Sequence, residues 1–424
     1  MTPELLKRLI LDQRDDLTLP VDYTERTAEE KLTILSKNKE IIVVAGIRRC
    51  GKSVLMQQLR QTSREVDYYF NFEDERLVDF SIADFQLLQE AFIELFGVQK
   101  TYYFDEIQNI PDWELFVRRL YNAGNKIYIT GSNASLFSEE LGTRLTGRYI
   151  KLTMYPFSFH EFLHHKEPLL LNKTALSTVQ VGQIKHVFRQ YCELGGFPEY
   201  IKYQHIDYLR SLFEGILYRD IISRYKLSNP KPIKELVYYL ASNCSKEMTF
   251  NALRKLLGIG SATTVSDYCG YLENSYLCFF VCRYSESVKI QMQSPKKVYF
   301  IDHVLAKVIG FRFIEDIGRM LENIVFIELK RRNLEVYYYN ETKECDFLIR
   351  EQGSIRTAIQ VCKSMVDLST RQREIDGLME AMERHGLEEG FILTEGEEAI
   401  ILIHKEINYT IRVVPIWKWL TEAY

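Results

Sequence analysis

Residues 46–53 read Gly-Ile-Arg-Arg-Cys-Gly-Lys-Ser, the spacing G-x-x-x-x-G-K-S. Those residue types at that spacing wrap a chain of phosphates. Glycines let the backbone approach closely, and successive amide N–H groups hold the anions together with the positive end of the following helix. Gly46, Ile47, Arg48, Arg49, Cys50, Gly51, Lys52, Ser53 and Val54 are therefore the expected cradle. Lys52 is expected to reach the β and γ phosphates, and Ser53 to ligate Mg²⁺. The flanks fit. Ile41–Ala45 is apolar throughout and rich in β-branched residues, as in a parallel strand buried on both faces, and Val54–Leu59 resumes at helical spacing.

A second constellation lies downstream. The short apolar strand Thr101–Phe104 ends in Asp105-Glu106. Asp105 is placed to hold Mg²⁺ through water, and Glu106 to orient and deprotonate a water that attacks the γ-phosphate. A simple nucleotide kinase has little need for that second carboxylate. A solvated strand end is the blander account of Asp-Glu alone, and it loses force once a phosphate loop precedes it. A third apolar strand, Lys126–Thr130, leads into Gly131-Ser132-Asn133. Asn133 or Ser132 is in place to steady the attacking water; a plain polar turn is the competing account. Arg144 and Arg148 precede the strand Tyr149–Met154, where an arginine finger reaches a nucleotide, often that of a neighbouring subunit. An exposed arginine without a catalytic role explains either residue equally well.

Together these motifs resemble the AAA+ ATPases, specifically the prokaryotic group with a C-terminal domain of unknown function 4143. The loop at 46–53 has that group's G-x-R-R-x-G-K-S form, Tyr103–Gln108 its Walker B, and Ile129–Asn133 its sensor strand. Tyr155–Phe162 and Gly195–Glu199 look like its later landmarks, so the resemblance runs from about Ile41 to Lys363. It implies ATP hydrolysis, with ATP and Mg²⁺ at the site, and little about biological purpose.

Composition bounds the rest. With 424 residues, 46% hydrophobic and 26% charged, the chain has material for several full cores. A net charge of -4 means that any nucleic-acid contact must rest on a local basic patch. The first residues lack a signal-peptide apolar region, and no apolar run approaches about 18 residues, so a cytoplasmic protein without membrane contact is expected. The eight cysteines are scattered without a C-x-x-C pair and read as reduced thiols.

The elements that must position these residues give an α/β fold class. It comprises a P-loop NTPase (AAA+) core at 1–155 with an N-terminal lead-in showing little chemistry, a helical lid or connector at 156–231, a winged-helix module at 232–296, and a restriction-endonuclease-like domain at 297–424. Phe80–Phe96 reads as one amphipathic helix, and Asp220 and Arg224 as an i, i+4 surface ion pair, although an arginine there is also placed to sense nucleotide. The third helix of the winged-helix segment, Ser261–Ser275, carries no Lys or Arg; Arg254, Lys255, Lys289, Lys296 and Lys297 lie elsewhere. Phosphate contact is conceivable and base reading is poor. In the last segment the positions that nucleases of the PD-(D/E)xK type use for carboxylates and lysine read Asp346, Gln360 and Cys362, with Glu322 on the preceding helix. Strand alternation turns Lys363 to the other face, so it does not replace the missing lysine. The expected function is an ATPase that drives a winged-helix and pseudo-nuclease module contacting DNA or a protein partner, as a homo-oligomer if the finger acts in trans. The alternatives are an ATP-dependent nuclease and a nucleotide-gated scaffold with negligible turnover.

Overall fold

The computed structural model describes residues 1–15, 23–62, 65, 68–133, 145–171, 176–310, 317–404 and 408–422. It contains two compact units, Met1–Tyr155 with Asn274–Tyr276, and Pro156–Glu273 with Leu277–Tyr424.

In the N-terminal unit, β1 (Ile41–Gly46), β2 (Tyr68–Asn71), β3 (Thr101–Asp105), β4 (Lys126–Gly131) and β5 (Tyr149–Met154) form a sheet of order β2-β3-β4-β1-β5. Every pairing is parallel, and β4 lies between β1 and β3. All six residues of β1 are buried, as its continuous apolar run requires. The lead-in does more than its sequence showed. Helix Pro3–Asp15 buries Leu6, Leu9 and Ile10, and the Gln13 amide exchanges hydrogen bonds with Asn71 (3.0 and 2.9 Å), covering part of the edge strand β2.

The single helix expected over Phe80–Phe96 is instead a 3₁₀ turn, Ile82–Asp84, followed by the helix Phe85–Phe96. A capping box between Ser81 and Asp84 starts the helical turn after Phe80. Phe80 then turns inward against Phe70, Phe72 and Phe85.

The second unit begins with helices Phe159–Lys166, Thr178–Leu194, Pro198–Tyr203 and Ile206–Gly215. The next segment, Ile216–Ser223, is π-helical. With i→i+5 bonding, residues four apart no longer stack. The expected Asp220–Arg224 pair is accordingly not made: Arg224 Nη1 is buried without a hydrogen-bond partner among the described residues.

Helix Lys231–Ser242 is followed by β6 (Glu247–Met248), helices Phe250–Leu257 and Ala262–Asn274, β7 (Cys278–Cys282), helix Val288–Gln293 and β8 (Lys296–Phe300); the three strands form an antiparallel sheet of order β6-β8-β7. Thr249 caps the second helix, accepting from Ala252 N at 3.1 Å. A division at residue 296 would cut β8, whose Lys296 and Lys297 pair with both neighbouring strands.

The remaining strands are β9 (Glu335–Asn340), β10 (Glu344–Glu351), β11 (Ser354–Val361), β12 (Glu389–Thr394), β13 (Ala399–His404) and β14 (Asn408–Pro415), in the order β13-β14-β12-β11-β10-β9. Helix Leu368–His385 packs Leu378, Met379, Ala381 and Met382 against this sheet, while helix Ile317–Arg331 supplies Phe326 to stack on Tyr299 and Phe347. All eight cysteines are free, and no helix among the described residues is long and apolar enough to cross a membrane.

Gly46 ends β1 where β5 runs closest. A Cβ there would land on the Met154 carbonyl oxygen. Gly46→Ala should lower stability against urea by about 2–3 kcal/mol, read by circular dichroism; a loss under about 0.5 kcal/mol would show that the two strands part freely.

Candidate active site

Because the strands are parallel, Gly46, Asp105 and Gly131 end β1, β3 and β4 on one edge of the sheet, the edge where α/β sheets bind ligands. The loop that leaves β1 turns through two left-handed residues, Arg49 (φ 66°) and Gly51 (φ 99°), before helix Lys52–Thr62 starts. Lys52 is 5% exposed. Its Nζ donates to the carbonyls of Gly46 and Ile47, each at 3.2 Å, and lies 3.5 Å from Glu106 Oε1. Burial alone would weaken the ammonium's hold on its proton, but Glu106, Cys50 and Asp105 outweigh that and raise its pKa.

The acidic pair is organised by one hydroxyl. Thr130, on β4 between the two motif strands and fully buried, donates to Asp105 Oδ1 and accepts from the backbone N of Glu106 at 3.0 Å. Tyr69 donates to the other Asp105 oxygen at 3.3 Å. Burial, then the Glu106 charge, pushes the Asp105 pKa up, against hydrogen bonds from Thr130 and Ser53 and the Lys52 charge. Glu106 sits in the left-handed region (φ 51°, ψ 37°), and the Gln108 amide donates to its Oε2. Ser132 and Asn133 follow β4, 2% and 0% exposed; Ser132 Oγ has no hydrogen-bond partner among the described residues.

Two loop contacts were not legible in the sequence. Arg26, in the lead-in and 6% exposed, donates to Cys50 O (2.6 Å) and Tyr155 O (2.7 Å), tying the loop to the end of β5. Thr130 and Arg26 share the reason for being missed: each acts through backbone or a carboxylate brought near only by folding. Arg48 pairs with Glu73 at 2.8 Å. Cys50 is buried, with burial raising its thiol pKa, so it forms part of the wall and is a poor nucleophile. Ser53 and Val54 open the helix, with Ser53 exposed.

Arg148 stands at the opposite end of the sheet. Its carbonyl accepts from Ile41 N at 2.8 Å, and Tyr149 pairs with Ile41. Roughly 16 Å of strand, at about 3.3 Å per residue, separates it from the loop, beyond the reach of its side chain within one chain. Arg144 lies outside the described residues.

The second unit holds another buried charge cluster. Lys297 of β8, 2% exposed, places Nζ 3.1 Å from Glu322, 3.0 Å from Asp346 and 2.6 Å from Glu344. Tyr299 donates to Glu322 at 2.6 Å, and Asp346 Oδ2 accepts from Val361 N at 3.0 Å. Gln360 engages elsewhere: its Oε1 accepts from Asp346 N at 3.1 Å and its amide donates to Glu374, while Cys362 joins the apolar cluster under helix Leu368–His385. The four positions read from the sequence are thus neighbours without forming one metal-binding set, and no group of three or more His, Cys, Asp or Glu residues suited to a metal occurs among the described residues. The sequence reading missed Lys297 as a member because it comes from a different sheet.

A glycine-containing loop between a buried strand and a helix, an acidic pair on the next-but-one strand and a third strand between them define the P-loop NTPase fold of AAA type. Residues 38–163 match the family described as AAA domain, residues 185–312 a domain of unknown function (DUF8612), and residues 317–419 a domain of unknown function (DUF4143). The chain is 33% identical over 434 residues to the uncharacterized protein MJ1544 of Methanocaldococcus jannaschii, covering 98% of this chain and 95% of that one. It is 33% identical over 335 residues to an uncharacterized protein of Haemophilus influenzae, covering 74% and 80%. The chain belongs to the family of AAA-domain ATPases that carry a C-terminal DUF4143 domain. Among solved structures, it is similar to a STAND-class signal transduction ATPase of Pyrococcus horikoshii with a tetratricopeptide repeat sensor (TM-score 0.26, 14% identity, 74% of this chain and 46% of that one). It is also similar to Hsp104 of S. cerevisiae in complex with casein (TM-score 0.31, 11% identity, 68% and 61%).

Burial, then the Asp346 charge, pushes the Glu322 pKa up to about 8 from 4.5, against Lys297 and Tyr299. Between those values the folded state binds more protons than the unfolded one, so this group's contribution to stability falls as pH rises through that window. Calorimetric melting temperature should therefore drop as pH rises from about 4.5 to about 8, and Glu322→Gln should flatten that drop. An unchanged slope in the variant would assign the drop to other groups.

Proposed function

We propose that the chain is a Mg²⁺-dependent ATP hydrolase whose nucleotide state switches the C-terminal half, which contacts DNA or a protein partner. The observation that carries this reading is the single Thr130 hydroxyl bonded both to Asp105 and to the amide of Glu106, with Lys52 3.5 Å from Glu106. The donor set fits nucleotide and metal: a loop of backbone amides, a buried lysine, a Ser53–Asp105 pair of oxygens, and the unpartnered Ser132 hydroxyl. Mg²⁺ held by Ser53 and Asp105 would neutralise charge on the phosphates.

In this reading Gly46–Val54 cradles the phosphates, and Lys52 stabilises charge that builds on the γ-phosphoryl group. Thr130 fixes the Asp105 carboxylate and sets the backbone at Glu106. That leaves Glu106 to take a proton from the attacking water. Ser132 and Asn133 position that water. Arg148, remote from its own loop, serves a neighbouring copy as the finger, so the active form is a homo-oligomer; Arg144 is the alternative for that role.

We read residues 156–231 as the connector. The three helices with β6, β8 and β7 support a winged-helix reading, with the module extended to Phe300 to keep β8 whole. The residues after it, to 424, form a restriction-endonuclease-like domain without nuclease chemistry. Lys297 supplies the positive charge among Glu322, Glu344 and Asp346, and Gln360 is engaged by Glu374, which leaves little for a divalent cation to do.

Purified protein should release phosphate from ATP only with Mg²⁺. Glu106→Gln should abolish turnover while retaining nucleotide binding, and Thr130→Val, equal in shape, should lower kcat by about 10–100-fold. Wild-type turnover in Glu106→Gln would sink the assignment. Arg148→Ala should be inactive alone, and mixing it with Glu106→Gln should restore part of the activity, because each supplies what its neighbour lacks. A fully active Arg148→Ala would remove the trans role.

A further inference from the structure

In the second unit, β11, β12 and β14 run parallel, pairing Val361 with Leu393 and Leu393 with Val414. Their carboxyl ends open into Lys363-Ser364, Glu395-Gly396-Glu397 and Ile416-Trp417. The carboxyl edge of parallel strands is where this class of sheet places ligands. There the structure holds a cavity of about 270 Å³, lined by these loops and by Lys185, Phe188 and Arg189 of helix Thr178–Leu194.

Three cations thus meet at one small cavity. Among the described residues, Arg189 and Lys363 make no ion pair, and Lys185 contributes only its position over the Trp417 ring, 6.0 Å from the centroid. Of the two acids in the lining, Glu397 is already committed: its carboxylate accepts from Ser364 Oγ at 2.8 Å and from Met365 N at 2.7 Å. Glu395 N donates to Lys363 O at 3.2 Å, which joins the two loops and fixes where Lys363 leaves the sheet. Trp417, 6% exposed, forms part of the wall, and its indole N–H is buried without a partner among the described residues. A buried indole N–H ordinarily finds an acceptor.

We propose that this cavity is a second ligand site, separate from the P-loop, which binds a small phosphate monoester. Three separate cations match a dianion better than a single carboxylate, since each phosphoryl oxygen can take its own charge-assisted hydrogen bond. Phe188 and the Trp417 ring supply an apolar wall for a small organic group. The volume lies just under the range of about 300–1,000 Å³ typical of larger ligands, so the occupant is smaller than a nucleotide.

The test titrates the full chain with inorganic phosphate and with glycerol phosphate, using acetate at matched ionic strength as the carboxylate arm and tryptophan fluorescence as the readout. Trp417→Phe assigns the signal. Both phosphates should give a saturable change that acetate does not, with glycerol phosphate the tighter. Arg189→Gln and Lys363→Gln, both at exposed positions, should each weaken it by about tenfold. The change should persist in Lys52→Ala, which separates it from the P-loop and leaves the outcome independent of the ATPase reading. Absence of saturation, equal responses to acetate and phosphate, indifference to both surface variants, or loss of the signal in Lys52→Ala would each overturn the proposal.

Discussion

Parallel strand direction governs the N-terminal unit, because it delivers the end of every core strand to one edge. Residues from β1, β3 and β4 that are far apart in sequence meet there without any long loop to carry them. The same direction sends Arg148 to the far edge, since the start of β5 pairs with the start of β1. A hydroxyl on the middle strand then does what neither motif can do alone. Thr130 holds the Asp105 carboxylate and the Glu106 amide on one oxygen, so the two acids keep a common orientation.

Charge burial takes different forms in the two units. Around the phosphate loop, Lys52 keeps its proton because Glu106 and Asp105 compensate for lost hydration. In the second unit Lys297 is surrounded by three carboxylates, and burial, followed by the Asp346 charge, raises Glu322. Removing one member of such a buried set typically costs about 3–5 kcal/mol, because the others are left uncompensated. The lysine thereby ties β8 to helix Ile317–Arg331 and β10, making one electrostatic unit of a helix and strands from two sheets.

Much of the fold was legible where the signal is local. The buried run before Gly46, the strand that ends in Asp105-Glu106 and the strand that leads into Ser132 and Asn133 each carry their pattern within a few residues. Local pattern failed where a neighbour decides. The π-helical turn at Ile216–Ser223 separates Asp220 from Arg224 although their spacing suits an α-helical pair. The exposed edge strand β13, Ala399–His404, was not read from the sequence, and its partner β14 determines it.

By itself the sequence determined that a phosphate loop is followed by an acidic strand end, because both depend on residue type at short spacing. It also determined that Gln360 and Cys362 stand where a nuclease would carry a carboxylate and a lysine. Tertiary structure alone decided which side chains complete each site. Thr130, Arg26 and Lys297 act on groups between 24 and 129 residues away. No local pattern encodes such distances; they are set when sheets and helices pack and polar groups taken out of water must find partners.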